Sequence, residues 1–365
     1  MASQGDAPPS AASVAAHAAA RFGMLGKCAL VTGGTKGIGR AVVEELCSLG
    51  AQARLLPGRR RRRRLRWRRR RWHGGQRRPA RSRRTLLPPS ARPPARQVFT
   101  CSRHGDELAA ALGDWRQRGF AVQGCVADVS QRGQCAALAD AAFAAFGGRL
   151  DVLVSNVGTN VRKPSVEYSP ADYAHVMATN LESSFALAQL CQPALAAARG
   201  CLVFNSSVAG GPTCMRSGSL YAMTKAALNQ ARAGGGVWRS RLACPGRLRP
   251  RQSPDGRLLT ARTTSPAPRP PPPPPQLTRN LAVEWAPLGI RVNAVAPWYT
   301  ATELAMQVLA DKAYEAQVLA RTPMGRIGQP SEVAGAIAYL AGPAASYVTG
   351  QVLTVDGGYS VMGFW

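Results

Sequence analysis

Short apolar runs alternate with longer segments of helical periodicity along most of the chain. The apolar runs predict seven β-strands, at 28–32, 98–101, 120–126, 152–155, 201–205, 290–295 and 352–355. The periodic segments predict helices at 39–49, 106–118, 131–146 and 170–198, and a further helix that contains Tyr221. Gly50 is placed to end the first of these helices. This alternation predicts an α/β fold of the Rossmann type: a doubly wound, seven-stranded parallel sheet with helices on both faces.

Several glycine-rich or polar segments follow directly after these predicted strands. They are the loop 33–39, the segment 155–158, the pair Ser206 and Ser207, and Pro297. In an open parallel sheet, ligands bind beyond the carboxyl ends of the strands. The sequence therefore predicts a ligand site along this one edge of the sheet.

Two segments of 46 residues, 52–97 and 231–276, interrupt the pattern. The first contains 19 arginines and no acid, and the second contains nine arginines and one acid, so together they carry 27 of the 28 net positive charges. They also contain 17 of the 28 prolines and show neither helical nor strand periodicity. Such a composition buries too little apolar surface to fold alone. We expect both segments to be disordered insertions.

The other 273 residues suit a single domain. We assign 1–21 to a flexible N-terminal segment and 22–365 to the domain, which 52–97 and 231–276 interrupt. Two interpretations of the insertions stay open: genuine basic loops that bind polyanions, or translated intervening sequence. Their sharp edges and the in-frame resumption of the pattern favour the second. Because the rest of the chain is nearly neutral, nucleic acid is not an expected partner unless the insertions are genuine.

Cysteine usage and hydropathy limit where the protein works. The nine cysteines are scattered without a C-x-x-C spacing, which favours reduced thiols over disulfides or a zinc site. No apolar run is long enough to span a membrane. The N-terminus is rich in alanine but lacks a continuous apolar signal core. We expect a cytoplasmic protein without a metal, with an organelle transit peptide as the alternative.

The loop between the first strand and the first helix predicts a dinucleotide site. Glycines there permit a tight turn and let the backbone approach a pyrophosphate, while the helix N-terminus supplies free amides and a partial positive charge. An ordinary glycine-rich turn is the alternative, because short glycine patterns are common. The residues predicted to hold the cofactor here are Gly33, Thr35, Lys36, Gly37, Ile38 and Gly39.

Arg103 indicates which dinucleotide is bound. It lies 64 residues after Gly39, and 18 residues after it once the 46-residue insertion is left out. A dinucleotide fold places its ribose-reading residue about 20 residues after the last glycine. An arginine there favours a 2′-phosphate, whereas an acid would favour the 2′-hydroxyl of NAD. With Lys36 as a second cation the sequence predicts NADP(H); a solvated surface role for Arg103 is the alternative.

Tyr221 and Lys225 lie one helical turn apart. A tyrosine hydroxyl ordinarily titrates near a pH of about 10, and a nearby ammonium favours the phenolate. We expect Lys225 to lower the pKa of Tyr221, so that Tyr221 exchanges a proton with a carbonyl oxygen near neutral pH, and to hold the cofactor ribose. Ser207 could hydrogen-bond the same carbonyl oxygen. A surface Tyr–Lys pair is the usual alternative for this motif alone, and the glycine loop argues against it.

Together these motifs resemble the short-chain dehydrogenase/reductase family, and more particularly the plant tropinone-reductase-like enzymes. The matching segments lie on both sides of each insertion, at 29–39, 99–103, 206–210, 283–286, 322–326 and 343–351. The resemblance extends over nearly all of the 273 residues outside the insertions. It implies a Rossmann fold and transfer of a hydride between NADP(H) and a small ketone or secondary alcohol.

The resemblance also implies roles for individual residues. Ser207, Tyr221 and Lys225 match the family's catalytic triad, and Asn180 matches the asparagine that supports a proton-relay water. The helix after Tyr221 usually forms a subunit interface in the family, so we expect a homodimer or homotetramer if that helix is intact.

Further positions match contacts to the cofactor. Asp128 matches an adenine-contacting aspartate, and Thr302 matches a threonine that contacts the nicotinamide carboxamide. Asn156 and Gly158 match the segment beside the cofactor ribose.

Three departures from the family pattern lie at the site. Ser155-Asn156-Val157-Gly158 replaces Asn-Asn-Ala-Gly, and Ser207 lies one residue farther from Tyr221 than is usual. Trp298 replaces the glycine of a Pro-Gly pair, which adds bulk beside the expected position of hydride transfer. The second insertion also begins shortly after Lys225 and splits the helix, since its polyglycine and polyproline cannot continue it.

The substrate is specified only by class. The apolar residues of 298–321 predict an apolar pocket. A second hypothesis of a different kind is a catalytically impaired Rossmann fold that binds polyanions such as nucleic acid through the Arg-rich insertions.

Overall fold

The computed structural model of the protein describes residues 10–52, 98–211, 215–229 and 277–363. Apart from Gln52, which ends a helix, the two predicted insertions lie outside the described residues. None of the helices within the described ranges is long and apolar enough to cross a bilayer.

Seven parallel strands run through the described residues. They are β1 (Ala29–Val31), β2 (Val98–Ser102), β3 (Val122–Val126), β4 (Val152–Ser155), β5 (Cys201–Asn205), β6 (Arg291–Pro297) and β7 (Val352–Val355). They form one sheet in the order β3-β2-β1-β4-β5-β6-β7. The direction in which the chain adds strands therefore reverses between β1 and β4. This confirms the predicted doubly wound parallel sheet.

Helices join and cover the strands. They are α1 (Ala11–Phe22), α2 (Gly37–Gln52), α3 (Gly105–Gln117), α4 (Arg132–Phe146), α5 (Pro170–Met177), α6 (Ser183–Ala198), α7 (Ser219–Asn229), α8 (Leu277–Trp285), α9 (Glu303–Leu309), α10 (Lys312–Ala320) and α11 (Pro330–Ala341). A π-helical turn, Ala178–Glu182, joins α5 to α6. The predicted helical region 170–198 is thus helical throughout, with one local distortion.

Two boundaries near the N-terminus differ from the predictions. Gly50 does not end the first helix, because α2 continues through it to Gln52. The helix α1 lies in the segment 1–21 that we predicted to be flexible; it begins with the Ser10 hydroxyl accepting a hydrogen bond from the Ser13 amide at 3.2 Å. The flexibility of this segment stays a prediction, and residues 1–9 lie outside the described residues.

The strand β4 shows how the sheet is buried on both faces. Successive side chains of a strand point to opposite faces. Leu153 packs in one apolar cluster with Leu138 of α4 and Leu187 of α6. Its neighbours Val152 and Val154 belong to a second cluster on the other face, which includes side chains of α2 and α11. The all-apolar character of this run therefore follows from burial on both sides.

The loop after β5 holds α7 against the sheet. A Cβ built on Gly210 would collide with the backbone of Lys225, so loop and helix pack backbone to backbone at this point. The Asn229 amide nitrogen donates to the Ser207 carbonyl oxygen at 2.6 Å. The Thr278 hydroxyl of α8 donates to the Leu228 carbonyl oxygen of α7, also at 2.6 Å. The helices α7 and α8 are therefore in direct contact, although residues 230–276 separate them in sequence.

Replacing Gly210 by alanine tests this backbone contact. The added methyl group has no room, so we expect Gly210→Ala to lower the free energy of unfolding by about 1–3 kcal/mol, the usual range for overpacking. Gly113 is the matched control, because it lies inside α3 and a Cβ built on it meets nothing within 4 Å. Gly113→Ala should raise the free energy of unfolding by roughly 0.5–1 kcal/mol. Chemical denaturation measures both changes, and equal effects at the two positions would contradict the account.

Candidate active site

A cavity of ≈ 460 Å³ opens at the carboxyl edge of the sheet. Its walls include the loops that follow β1 and β4, where the strand order reverses, which is the usual ligand position in open α/β sheets. All of the predicted site residues line this cavity except Asn180. The chain thus gathers in one place residues that are as far apart in sequence as Gly33 and Thr302.

The glycine loop is built as a tight turn into α2. Gly33 and Gly37 have φ angles of 65° and 56°, a left-handed backbone that favours glycine. A Cβ on Gly39 would collide with the carbonyl oxygen of Gly33. The side-chain amide of Asn156 donates to the carbonyl oxygens of Thr32 at 2.9 Å and Gly33 at 3.3 Å, which fixes the turn from the β4 side. Backbone amides at the start of α2 are left beside the cavity, with Thr35 and Ile38 in its wall.

Two cations lie in the wall near this loop, in different states. Arg103, just after β2, has an exposed side chain and makes no ion pair among the described residues. Lys36 is paired with two carboxylates, Glu107 at 3.5 Å and Glu303 at 3.1 Å. The hydrogen bond to Glu303 is the main cause of a raised pKa at Lys36. Arg103 is therefore the cation that is free to meet a ligand.

Asp128 and Thr302 complete the same part of the cavity wall. One carboxylate oxygen of Asp128, shortly after β3, accepts a hydrogen bond from the amide of Ser130 at 3.0 Å. Thr302 precedes α9, and its hydroxyl accepts from the amide of Ala305 at 3.3 Å. A Cβ on Gly37 would lie 3.3 Å from the Thr302 methyl group. The segment before α9 thus lies directly against the glycine loop.

Tyr221, Lys225 and Ser207 come together where α7 meets the end of β5. The Lys225 ammonium is buried and donates to the carbonyl oxygen of Asn205 at 2.9 Å. It lies 5.6 Å from the centre of the Tyr221 ring. The Ser207 hydroxyl accepts from the Ala209 amide at 3.1 Å, and Ser207 and Tyr221 interact through their side chains.

Asn180 lies behind this group in the π-helical turn. Its side-chain oxygen accepts from the Thr159 amide at 2.8 Å. Its side-chain nitrogen donates to the Thr159 carbonyl oxygen at 2.9 Å and to the Thr224 hydroxyl at 3.1 Å. Asn180 therefore ties the loop after β4 to α7. A Cβ on Gly158 would lie 3.4 Å from the Lys225 nitrogen and 3.6 Å from the Asn180 side-chain oxygen, so glycine leaves room there.

Burial shifts the titration of both groups in the Tyr–Lys pair. It raises the pKa of Tyr221, while the Ser207 hydroxyl and the charge of Arg162 oppose that rise. It also lowers the pKa of Lys225 from 10.5 to about 8. The expected lowering of the Tyr221 pKa by Lys225 is therefore wrong for this arrangement. The desolvation of the phenol outweighs the favourable charges around it.

Trp298 is packed away from the position where we expected it to add bulk. Its ring stacks on Tyr359 with a centroid separation of 3.5 Å and an interplanar angle of 9°. Its indole nitrogen donates to the Thr322 hydroxyl at 3.0 Å, and only 8% of the residue is exposed. Trp298 touches the cavity but is held within the apolar cluster under the C-terminal segment.

Three residues of the cavity wall were not predicted. They are Glu107, Arg162 and Tyr299. Glu107 lies in the first turn of α3 and pairs with Lys36, an arrangement that Arg103 four residues earlier could have suggested. Arg162 and Tyr299 lie on loops, and no periodicity in the sequence marks them. The seven cysteines that the structure describes are free thiols.

Comparisons with known proteins define the class. A family pattern described as short chain dehydrogenase matches residues 92–233, and one described as enoyl-(acyl carrier protein) reductase matches residues 275–360. A tropinone reductase homolog of Arabidopsis thaliana is 41% identical over 94% of this chain and 96% of its own length. A second Arabidopsis thaliana homolog, described as chloroplastic, is 38% identical over 98% of this chain and 82% of its own length.

A solved structure is also similar. A gluconate 5-dehydrogenase from Burkholderia cenocepacia, in complex with NADP and tartrate, superposes with a TM-score of 0.66 at 26% identity, over 95% of this chain and 100% of that one. The chain belongs to the short-chain dehydrogenase family and is an oxidoreductase of that family. Within the family, its relatives include several plant tropinone reductase homologs, which confirms the resemblance seen in the motifs.

The buried ammonium of Lys225 makes a prediction about pH. Its pKa of about 8 lies below the ordinary 10.5, so the unfolded chain binds its proton more tightly and burial costs about 3 kcal/mol at pH 7. This cost is complete below pH 8 and falls to zero as the pH rises to 10.5. We expect the unfolding free energy of the wild type minus that of Lys225→Met to rise by about 3 kcal/mol over this range. Denaturant titrations at several pH values measure it, with the same substitution at exposed Lys312 as the control. A difference that stays constant with pH would contradict the burial of a charged lysine.

Proposed function

We propose that the protein transfers a hydride between NADP(H) and a small ketone or secondary alcohol, as a tropinone-reductase-like carbonyl reductase. One observation carries the proposal: the glycine loop, Arg103 and Tyr221 line a single cavity at the carboxyl edge of the sheet. Within that cavity, groups suited to a nucleotide phosphate and a group suited to proton transfer lie within reach of one extended ligand.

The residues present fit a phosphorylated dinucleotide. The backbone contact between Gly39 and Gly33 leaves no side chain over the start of α2, where free amides favour a pyrophosphate. The unpaired guanidinium of Arg103 suits a 2′-phosphate, because its fork of donors matches phosphate oxygens. Lys36 would have to exchange Glu107 and Glu303 for that phosphate, so we assign Arg103 the leading role. When bound, the nicotinamide ring supplies the hydride.

Tyr221 supplies the proton in this proposal. Its raised pKa keeps the phenol protonated at neutral pH, the form that donates to the carbonyl oxygen of a ketone. Ser207 is beside it and offers a hydroxyl to the same oxygen. The Lys225 ammonium has one proton on the Asn205 carbonyl oxygen and two others for ribose hydroxyls. Asn180 fixes the loop and helix that carry these groups, and a role in a proton relay stays a prediction.

We infer a cytoplasmic protein, with an organelle as the alternative because one relative is described as chloroplastic. We also infer a homodimer or homotetramer. Met223 of α7 and Val283 of α8 are 49% and 77% exposed, and apolar side chains on these helices suit a contact between subunits. The polyanion-binding hypothesis rests on segments outside the described residues, and no observation on the described ones favours it.

Tyr221→Phe tests the proton donor. Removing the hydroxyl should lower kcat for NADPH-dependent ketone reduction by about 10²–10⁴-fold, the usual contribution of a general acid, and leave NADPH binding intact. NADPH consumption at 340 nm measures the rate, and quenching of protein fluorescence measures binding. Tyr347, which is fully exposed, supplies the control substitution Tyr347→Phe. Full activity of the Tyr221→Phe variant would refute the assigned role.

Arg103→Ala tests the choice of cofactor. Losing a charge-assisted contact to the 2′-phosphate should raise the KM for NADPH by roughly ten- to a hundredfold, while the KM for NADH changes far less. Arg116, exposed on α3, provides the matched control Arg116→Ala. If both cofactors lose affinity equally, or if NADH is preferred by the wild type, the assignment to Arg103 is wrong.

A further inference from the structure

Arg162 is a cation at the catalytic end of the cavity that the chemistry described so far does not use. It lies in the loop between β4 and α5 and lines the cavity together with Tyr221, Met215 and Tyr299. Its positive charge is felt by the hydroxyl groups of both Tyr221 and Tyr299. The guanidinium is therefore close to the group that would exchange a proton with the substrate.

The backbone around Arg162 is anchored on both sides. The side-chain amide of Asn160 donates to the carbonyl oxygen of Ser217 at 2.9 Å. The hydroxyl of Tyr168 donates to the carbonyl oxygen of Val161, also at 2.9 Å. These bonds hold the loop against the segment that leads into α7. The position of Arg162 relative to Tyr221 is thus set by the fold.

The charge of Arg162 has no partner among the described residues. The acids that line the cavity are Glu107, Asp128 and Glu303. Glu107 and Glu303 are both paired with Lys36, and none of the three forms an ion pair with Arg162. The adjacent Lys163, in contrast, is neutralised by Asp172 at 2.8 Å. Of two neighbouring cations, only the one in the cavity wall is left free.

We propose, on the basis of the proposed function, that Arg162 binds a carboxylate of the substrate and that the substrates are oxo acids and the corresponding hydroxy acids. A guanidinium presents paired donors that match both oxygens of a carboxylate. Its place beside Tyr221 puts the carboxylate near the reacting carbonyl group. Met215 and Leu304 in the same wall suit the short carbon chain between them. This refines the predicted apolar pocket into an apolar pocket with one charged end.

The test compares an oxo acid with its neutral ester on the full-length chain. The probes are 4-oxopentanoate and methyl 4-oxopentanoate, with NADPH as reductant and kcat/KM as the readout. We expect the wild type to prefer the acid. Arg162→Met should reduce the acid-to-ester ratio of kcat/KM by tenfold or more, and Arg162→Lys should restore part of it. Lys163→Met, the matched control outside the cavity wall, should leave the ratio within twofold of the wild type.

Two results would overturn the proposal: a wild type that prefers the ester, or an acid-to-ester ratio that is unchanged in Arg162→Met. A variant that merely folds poorly lowers both rates together, and its unfolding midpoint reports that directly. If no ketone is reduced at all, the proposed function fails by itself. Calorimetric titration of 4-oxopentanoate then decides: saturable binding that Arg162→Met abolishes supports the carboxylate site, and binding that is absent or equal in both proteins refutes it.

Discussion

The buried ammonium of Lys225 is the interaction on which the rest of the site depends. A charge taken out of water is tolerated only when a polar group meets it, and here the carbonyl oxygen of Asn205 at the end of β5 does so. That bond, with the backbone contact at Gly210, fixes α7 relative to the sheet. Tyr221 is one turn away on the same helix and therefore has a defined place at the edge of the sheet. Burial also raises its pKa, so proton donation by a neutral phenol follows from the same packing that positions it.

Much of the sheet could be predicted because burial leaves a simple mark on strands. The runs 152–155 and 201–205 are found with the predicted bounds, since each is apolar on both faces and lies between polar or glycine residues. The site edge could also be predicted, because the carboxyl ends of parallel strands meet at one side. Gly50 shows the limit of local signals: a glycine weakens a helix only slightly, and packing carries α2 past it to Gln52.

What could not be predicted depends on contacts between distant segments. Lys36 reads as a second free cation in the sequence, but Glu107 and Glu303 reach it from two other elements. The π-helical turn that holds Asn180 is a distortion within a helical pattern, and its partner Thr159 lies on a different loop. The pKa of Tyr221 depends on how deeply the phenol is buried, and the spacing to Lys225 contains no information about that. Trp298 is similar: its stacking on Tyr359 needs the C-terminal segment in place.

The central claim is that this chain moves a hydride from a nicotinamide to carbon and a proton from Tyr221 to oxygen. The direct measurement uses NADPH that carries deuterium at the transferred position of its nicotinamide, a small ketone and the full-length protein, with the alcohol product analysed by mass spectrometry. The account predicts an alcohol with one carbon-bound deuterium for each NADPH consumed. An unlabelled alcohol, or NADPH consumption without alcohol formation, would contradict it.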